Sequence, residues 1–164
     1  MANTIKQSIR KLIAGILTTC IVGFTLSCYA YWVELAKEED YSYEPMCDIS
    51  EHISCTKAFQ SEYGKGFGLI PETSVFYMPN PIYGLLFYAL VAILSVSNKW
   101  SALVVALATI SNIGTIYLAR ILYLERNICI VCVSLYVVNV VLLILAIKKH
   151  RRLSEDGTKK RKLK

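Results

Sequence analysis

Charge is almost missing from four long stretches of this 164-residue chain, and histidine is scarce, with only two in the whole sequence. Uncharged runs of that kind exclude ordinary amphipathic helices of a soluble domain, whose polar residues recur every third or fourth position. The shortage of histidine leaves a mixed cysteine–histidine metal site little to draw on, with His52 the single histidine between residues 34 and 80. No internal repeat or low-complexity linker divides the sequence, so a single domain over residues 1–164 is expected. The glycine string Gly64-Lys65-Gly66-Phe67-Gly68 lacks the strand-to-helix setting and acceptor spacing of a phosphate-cradling loop, which argues against phosphate binding there.

What is present is apolar: hydrophobic residues make up 55% of the chain. A bilayer core needs roughly 20 apolar residues of helix. Runs of about that length fall at residues 12–33, 81–97, 101–122 and 128–147. They predict an all-α integral membrane protein, a four-transmembrane-helix bundle. Gly15, Gly23, Gly84 and Gly114 within the runs suit close packing of membrane helices. The first run follows Lys6, Arg10 and Lys11 as a secretory signal would, but it is long and ends in bulky Tyr31-Trp32-Val33, so a retained helix is expected.

Charge orients the bundle, because cytoplasmic flanks carry excess Lys and Arg. The N-terminal segment, Lys99 and the tail 148–164 are basic, whereas residues 34–80 hold nine acids against three bases, a net charge of 3 − 9 = −6. Both termini are therefore expected in the cytoplasm and residues 34–80 in a lumenal cap. The formal charge of +6 sits in these short flanks, where anionic lipid is the natural partner, and no nucleic-acid partner is expected. The ending Lys160-Arg161-Lys162-Leu163-Lys164 resembles a dilysine retrieval signal of the endoplasmic reticulum. Within the cap, residues 48–63 are expected to form a short helix and Gly64 to Gly68 a tight turn requiring positive φ.

Six cysteines carry the chemistry. Cys20 and Cys28 lie inside the first run, where a thiol behaves as a small apolar residue. Cys47 and Cys55 fall in the cap; Cys129 and Cys132 form Cys-Ile-Val-Cys at the start of the last run. Unpaired N–H groups at a helix start stabilise a thiolate, and a second cysteine pair on the same side can exchange with the first. The set points to an electron relay. A four-thiolate zinc site and two inert structural disulfides are the other arrangements these positions allow. At i+4 from Cys132, Tyr136 shares its helix face, and Asn80 enters the second run at similar depth. A phenol and an amide in an apolar mouth suit the two carbonyls of a quinone; a belt tyrosine and a helix N-cap are the structural alternatives.

Cys47-Asp48, Ile53-Ser54-Cys55, Gly64 to Leu69, Asn80 with Tyr83-Gly84, the Cys129–Cys132 motif and Tyr136 occur in an order and spacing that resemble the animal vitamin K epoxide reductase family. That resemblance implies an enzyme of the endoplasmic reticulum membrane that reduces vitamin K epoxide and quinone to the hydroquinone, with no tightly bound cofactor and no metal. It implies that Cys132 attacks the substrate and Cys129 resolves the adduct. Cys55 would then exchange with Cys129, and Cys47 would take electrons from a lumenal thioredoxin-like protein. Asn80 and Tyr136 would bind substrate oxygens; Phe59, Phe87 and Tyr63 would line the pocket, which coumarin anticoagulants would also occupy. The chain departs from the family pattern at Tyr63, where tryptophan is usual, at Pro81, where serine is common, and in a shorter 70–78 segment. A quinone-coupled generator of disulfides, or a non-catalytic tetraspan protein, would use the same parts.

Overall fold

The computed structural model describes residues 2–50 and 52–162, with side chains for 5–50 and 52–158. The helices in chain order are α1 (Ala2–Glu39), α2 (Cys55–Gln60), α3 (Asn80–Val96), α4 (Ser101–Leu124) and α5 (Ile130–Lys162), with one 3-10 turn at Gly66–Gly68. Among the described residues extended pairing is limited to isolated bridges. α1, α3, α4 and α5 run up and down beside one another. Residues 40–79 and 125–129 gather at the end shared by the C-termini of α1 and α4 and the N-termini of α3 and α5.

The core of this bundle is Ile16, Cys20, Tyr88, Val91, Val104, Ala108, Leu142 and Ala146. Its outer surface is apolar as well: Ile21, Ile93, Ile110, Ile113 and Ile116 are all exposed. So much outward-facing isoleucine suits hydrocarbon and not water. α1, α4 and α5 are long and apolar enough to cross a membrane, while α3 is apolar but has 17 residues, about 25 Å at 1.5 Å per residue. Its C-terminal carbonyls are closed by α5: the buried Lys149 ammonium donates to the Ser95 carbonyl at 2.6 Å and the Ser97 carbonyl at 3.3 Å. A cation at a helix C-terminus meets both the dipole and the orphan acceptors.

Glycines set the closest approach of α1 to α3. A Cβ on Gly23 would fall 2.4 Å from the Tyr88 ring, and one on Gly84 would fall 2.6 Å from the Ser27 hydroxyl. Gly15 faces Leu145 at ordinary contact, but Gly114 meets nothing and so is not a packing glycine.

Several boundaries differ from those read in the sequence. α1 begins ten residues before the run at 12 and continues to Glu39, because its flanking Lys, Arg and Glu residues are themselves good helix formers. α5 likewise carries the basic segment after residue 147 as helix to Lys162. The retrieval-like ending at Leu163 and Lys164 lies outside the described residues. The helix expected over 48–63 is only Cys55–Gln60. Its would-be first turns are held instead by an Ile53–Ile128 bridge and by the Asp48 side chain, which turns inward to cap α2.

Candidate active site

α2 is a single capped turn. The Ser54 hydroxyl accepts from the Lys57 N–H at 3.1 Å, and the Asp48 carboxylate accepts from the N–H groups of Cys55 at 2.6 Å and Thr56 at 3.1 Å. Burial pushes the Asp48 carboxyl up, but the hydrogen bonds from Thr56, Ser54 and Cys55 outweigh it and hold the group below the usual carboxylate range. Cys55 is thereby fixed, and it forms a disulfide with Cys47.

The chain leaving α4 turns through Arg126, at φ 52°, and runs beside this segment. The Ile128 N–H donates to the His52 carbonyl at 2.8 Å, the Ser54 N–H donates to the Ile128 carbonyl at 3.1 Å, and the Asn127 amide donates to the Ser54 carbonyl at 2.8 Å. These bonds set Cys55 and Cys129 in one buried cluster with Cys47, Ala30, Val33 and Phe59.

Cys129 immediately precedes α5, where a capping residue belongs, and its sulfur accepts the Cys132 N–H at 3.2 Å. The hydrogen bond from the Cys132 thiol, helped by N–H groups of Cys132 and Val131, lowers the Cys129 thiol pKa despite burial and the nearby Asp48 charge. Cys129 and Cys132 are both free thiols, as are Cys20, buried in the core, and Cys28, exposed on α1. The two CxxC sulfurs face different surroundings. Cys129 is fully buried among the other cysteines, whereas Cys132 is partly exposed and lines a cavity.

That cavity has a volume of about 690 Å³ and lies between α3, α4 and α5 beneath residues 58–69. Phe59, Tyr63 and Phe67 roof it; Asn80, Tyr83, Phe87 and Tyr88 come from α3; Tyr136 and Asn139 join Cys132 on α5; and α4 contributes a face from Leu107 to Leu122. The α4 face alone extends about 22 Å at 1.5 Å per residue. Gly114, unopposed, helps keep it open.

Polar groups in the cavity divide into occupied and free. The Asn80 Oδ1 accepts the Phe67 N–H at 2.9 Å and its Nδ2 donates to the Tyr63 carbonyl at 2.6 Å, so Asn80 ties the roof to α3. It is not the helix N-cap, a position taken by Pro79. The roof turn has Gly66, Phe67 and Gly68 all at positive φ, with Phe67 at 58°. Positive φ is costly for a phenylalanine, and here it turns the Phe67 N–H to Asn80 while the ring packs on Tyr83 with centroids 5.0 Å apart. The Tyr83 hydroxyl donates to the Phe76 carbonyl. Deeper, the Tyr88 hydroxyl donates to Asn139 at 2.8 Å and Asn139 donates to Thr115 at 2.9 Å. The Tyr136 hydroxyl has no hydrogen-bond partner among the described residues.

Vitamin K epoxide reductase family sequences match residues 14–147. Vitamin K epoxide reductase complex subunit 1 of Mus musculus is 36% identical over 151 residues, covering 88% of this chain and 92% of the mouse protein. The Rattus norvegicus protein of the same name is 33% identical over 140 residues, covering 81% and 87% respectively. The chain belongs to the vitamin K epoxide reductase family.

Within this family member, the structure brings Cys132, Asn80, Tyr136, Phe59, Phe87 and Tyr63 to one cavity and Cys47, Cys55 and Cys129 to the adjoining cluster. The ligand atoms of Cys47, Asp48 and Cys55 lie within 4.8 Å of one another. They do not fit a metal as they stand, since the two sulfurs are bonded to each other and the carboxylate already receives two N–H groups. Two contributors went unassigned in the sequence. Asn139 is seven residues beyond Cys132 and hence on the same helix face. Asn127, two residues before Cys129, acts through a backbone carbonyl distant in sequence, for which no periodic signal exists.

Proposed function

We propose that this protein is a membrane thiol oxidoreductase that reduces vitamin K 2,3-epoxide and vitamin K quinone, with Cys129 and Cys132 as the reducing pair and Cys47 and Cys55 as its source of electrons. The observation that carries the reading is the division between the two CxxC sulfurs, one on an apolar cavity and the other among the remaining cysteines. The names of the mouse and rat relatives supply the substrate. The protein is read as one domain of four membrane helices, α3 included, with residues 40–79 as a lumenal cap and both termini cytoplasmic in the endoplasmic reticulum membrane.

In the quinone reaction, the Cys132 sulfur adds to the ring as its proton passes to Cys129, whose lowered pKa suits a sulfur held ready as a base. Cys129 returns the proton to a substrate oxygen and attacks the Cys132 sulfur. The carbon–sulfur bond breaks and its electron pair enters the ring, leaving a Cys129–Cys132 disulfide and the hydroquinone monoanion, which takes its second proton from water. With the epoxide, attack opens the three-membered ring, the freed oxygen takes the proton held on Cys129, and release as quinone expels hydroxide, which leaves as water after taking a proton from solvent. Each turnover oxidises two thiols and transfers two electrons. Tyr136, whose hydroxyl is unengaged, and the second amide hydrogen of Asn80 bind the substrate oxygens, while Phe59, Phe87 and Tyr63 cover the ring. A flat aromatic inhibitor of the coumarin type fits the same apolar space.

Recharging is thiol–disulfide exchange. Cys55 attacks Cys129 and frees Cys132; Cys47 then attacks Cys55 and frees Cys129. The end state has Cys47 bonded to Cys55 and both CxxC thiols free, the pairing present here. A thioredoxin-like lumenal protein would reopen the Cys47–Cys55 bond. The test is turnover of vitamin K epoxide by purified protein with a small dithiol: wild type turns over and Cys132→Ala does not. Retained activity in Cys132→Ala would overturn the assignment. Turnover of quinone without any opening of the epoxide would favour a disulfide-generating oxidase.

A further inference from the structure

We infer that Asn127 is a positioning residue for electron transfer between Cys55 and Cys129, an inference that rests on the relay described above. Its side chain is nearly fully buried, and its Nδ2 donates to the Ser54 carbonyl at 2.8 Å. Ser54 immediately precedes Cys55, and Asn127 lies two residues before Cys129. One amide thus joins the two backbone strips that carry the exchanging sulfurs. The Ser54–Ile128 and Ile128–His52 hydrogen bonds hold the same strips in a single parallel register.

The backbone bonds alone leave the strips hinged at their edge, since among the described residues no further ladder extends the Ile53–Ile128 bridge. Of the hydrogen bonds that join the two strips, the one from Asn127 lies nearest to Cys55. Its Oδ1 is buried without a hydrogen-bond partner among the described residues. Burying an amide oxygen unpaired is unfavourable, so the residue is held by its donor alone. The reversed amide would set oxygen against the Ser54 carbonyl oxygen. A hydrophobic residue of the same size would fill the site equally well but would not fix the register.

The step served is the attack of the Cys55 sulfur on the Cys129 sulfur. A Cys55–Cys129 bond forms, the Cys129–Cys132 bond breaks, and Cys132 leaves with the electron pair and takes up a proton. Sulfur exchange needs near-linear approach of the three sulfurs, so a register error acts on rate directly. Reduction of Cys129–Cys132 by a small dithiol bypasses this step.

The experiment compares wild type, Asn127→Leu and Asn127→Ala in quinone turnover driven either by reduced thioredoxin or by a small dithiol. The quantity read is the ratio of the two rates. The ratio is expected to fall about tenfold in both variants, the effect of one lost buried hydrogen bond. In a Cys47→Ala/Cys132→Ala background, Asn127→Leu should also lower the yield of the Cys55–Cys129 mixed disulfide. An unchanged ratio, or equal loss in both assays, overturns the positioning role. Cys47→Ala separates this from failure of the relay: if it leaves the ratio at the wild-type value, the relay itself is wrong, whereas a ratio lowered by Cys47→Ala but not by Asn127→Leu rejects Asn127 alone.

Discussion

Replacing Asn80 tests whether the cavity roof is held from α3. Asn80→Ala removes two hydrogen bonds at once, the one accepted from the Phe67 N–H at 2.9 Å and the one donated to the Tyr63 carbonyl at 2.6 Å. Both are partly buried, so water replaces some of what is lost, and about 1 kcal/mol for each is a fair figure. Phe67 is also at positive φ, a conformation that side chains rarely adopt, so the turn loses its anchor while keeping its strain. Together these give about 2 kcal/mol, or roughly 30-fold in kcat/KM, if the closed roof is needed to bind the quinone. Asn80→Asp keeps the acceptor for Phe67 but faces the Tyr63 carbonyl with a second oxygen, so it should also lose activity. The assay is dithiol-driven reduction of vitamin K quinone in detergent or vesicles, with kcat and KM resolved. The loss should appear mainly in KM. An Asn80→Ala protein within threefold of wild type in kcat/KM would refute the roof argument.

Gly64→Ala should cripple the same turn, because the added Cβ would lie 2.0 Å from the Phe59 carbonyl oxygen; loss of folded yield beyond that of Gly114→Ala, where space is open, checks it. Glu34 is buried on α1 with neither carboxylate oxygen hydrogen-bonded among the described residues, so Glu34→Gln should raise thermal stability by about 1–3 kcal/mol; a lowered melting temperature contradicts this. The depressed pKa of Cys129 gives a pH signature. A group whose folded pKa is lowered stabilises the reduced fold fully above its unfolded value, here the ordinary thiol range near about 8.5. That contribution is lost only as the pH falls through the depressed value. Single-turnover quinone reduction by pre-reduced protein should therefore hold its rate below the ordinary thiol range, and a rate that follows an unperturbed thiol titration would contradict it.

The helices were legible because uncharged apolar runs have few alternatives, and the cysteines because a CxxC at a helix start has a chemical use. Sequence periodicity also put Tyr136 on the face of Cys132. What it did not show were contacts made through backbone groups far apart in the chain. The Ile53–Ile128 bridge, which cuts the expected 48–63 helix to six residues, is one example. The double use of Asn80 as a roof clamp is another, since an asparagine before an apolar run looks the same whether it caps a helix, binds a ligand or bridges a loop. Glycine in the 64–68 turn announced positive φ, but Phe67 adopting it as well follows only from its partners, Asn80 and Tyr83. Helix ends were misjudged where charged residues continue a helix beyond its apolar run, as they do past residue 147.

The relay at the centre of this account requires the Cys55 and Cys129 sulfurs to meet. A Cys47→Ala/Cys132→Ala protein, isolated from membranes under thiol-blocking conditions and digested, should yield a disulfide-linked pair of peptides carrying Cys55 and Cys129 when analysed by mass spectrometry without reduction. Recovery of both cysteines as blocked free thiols, with no such pair, would contradict the account.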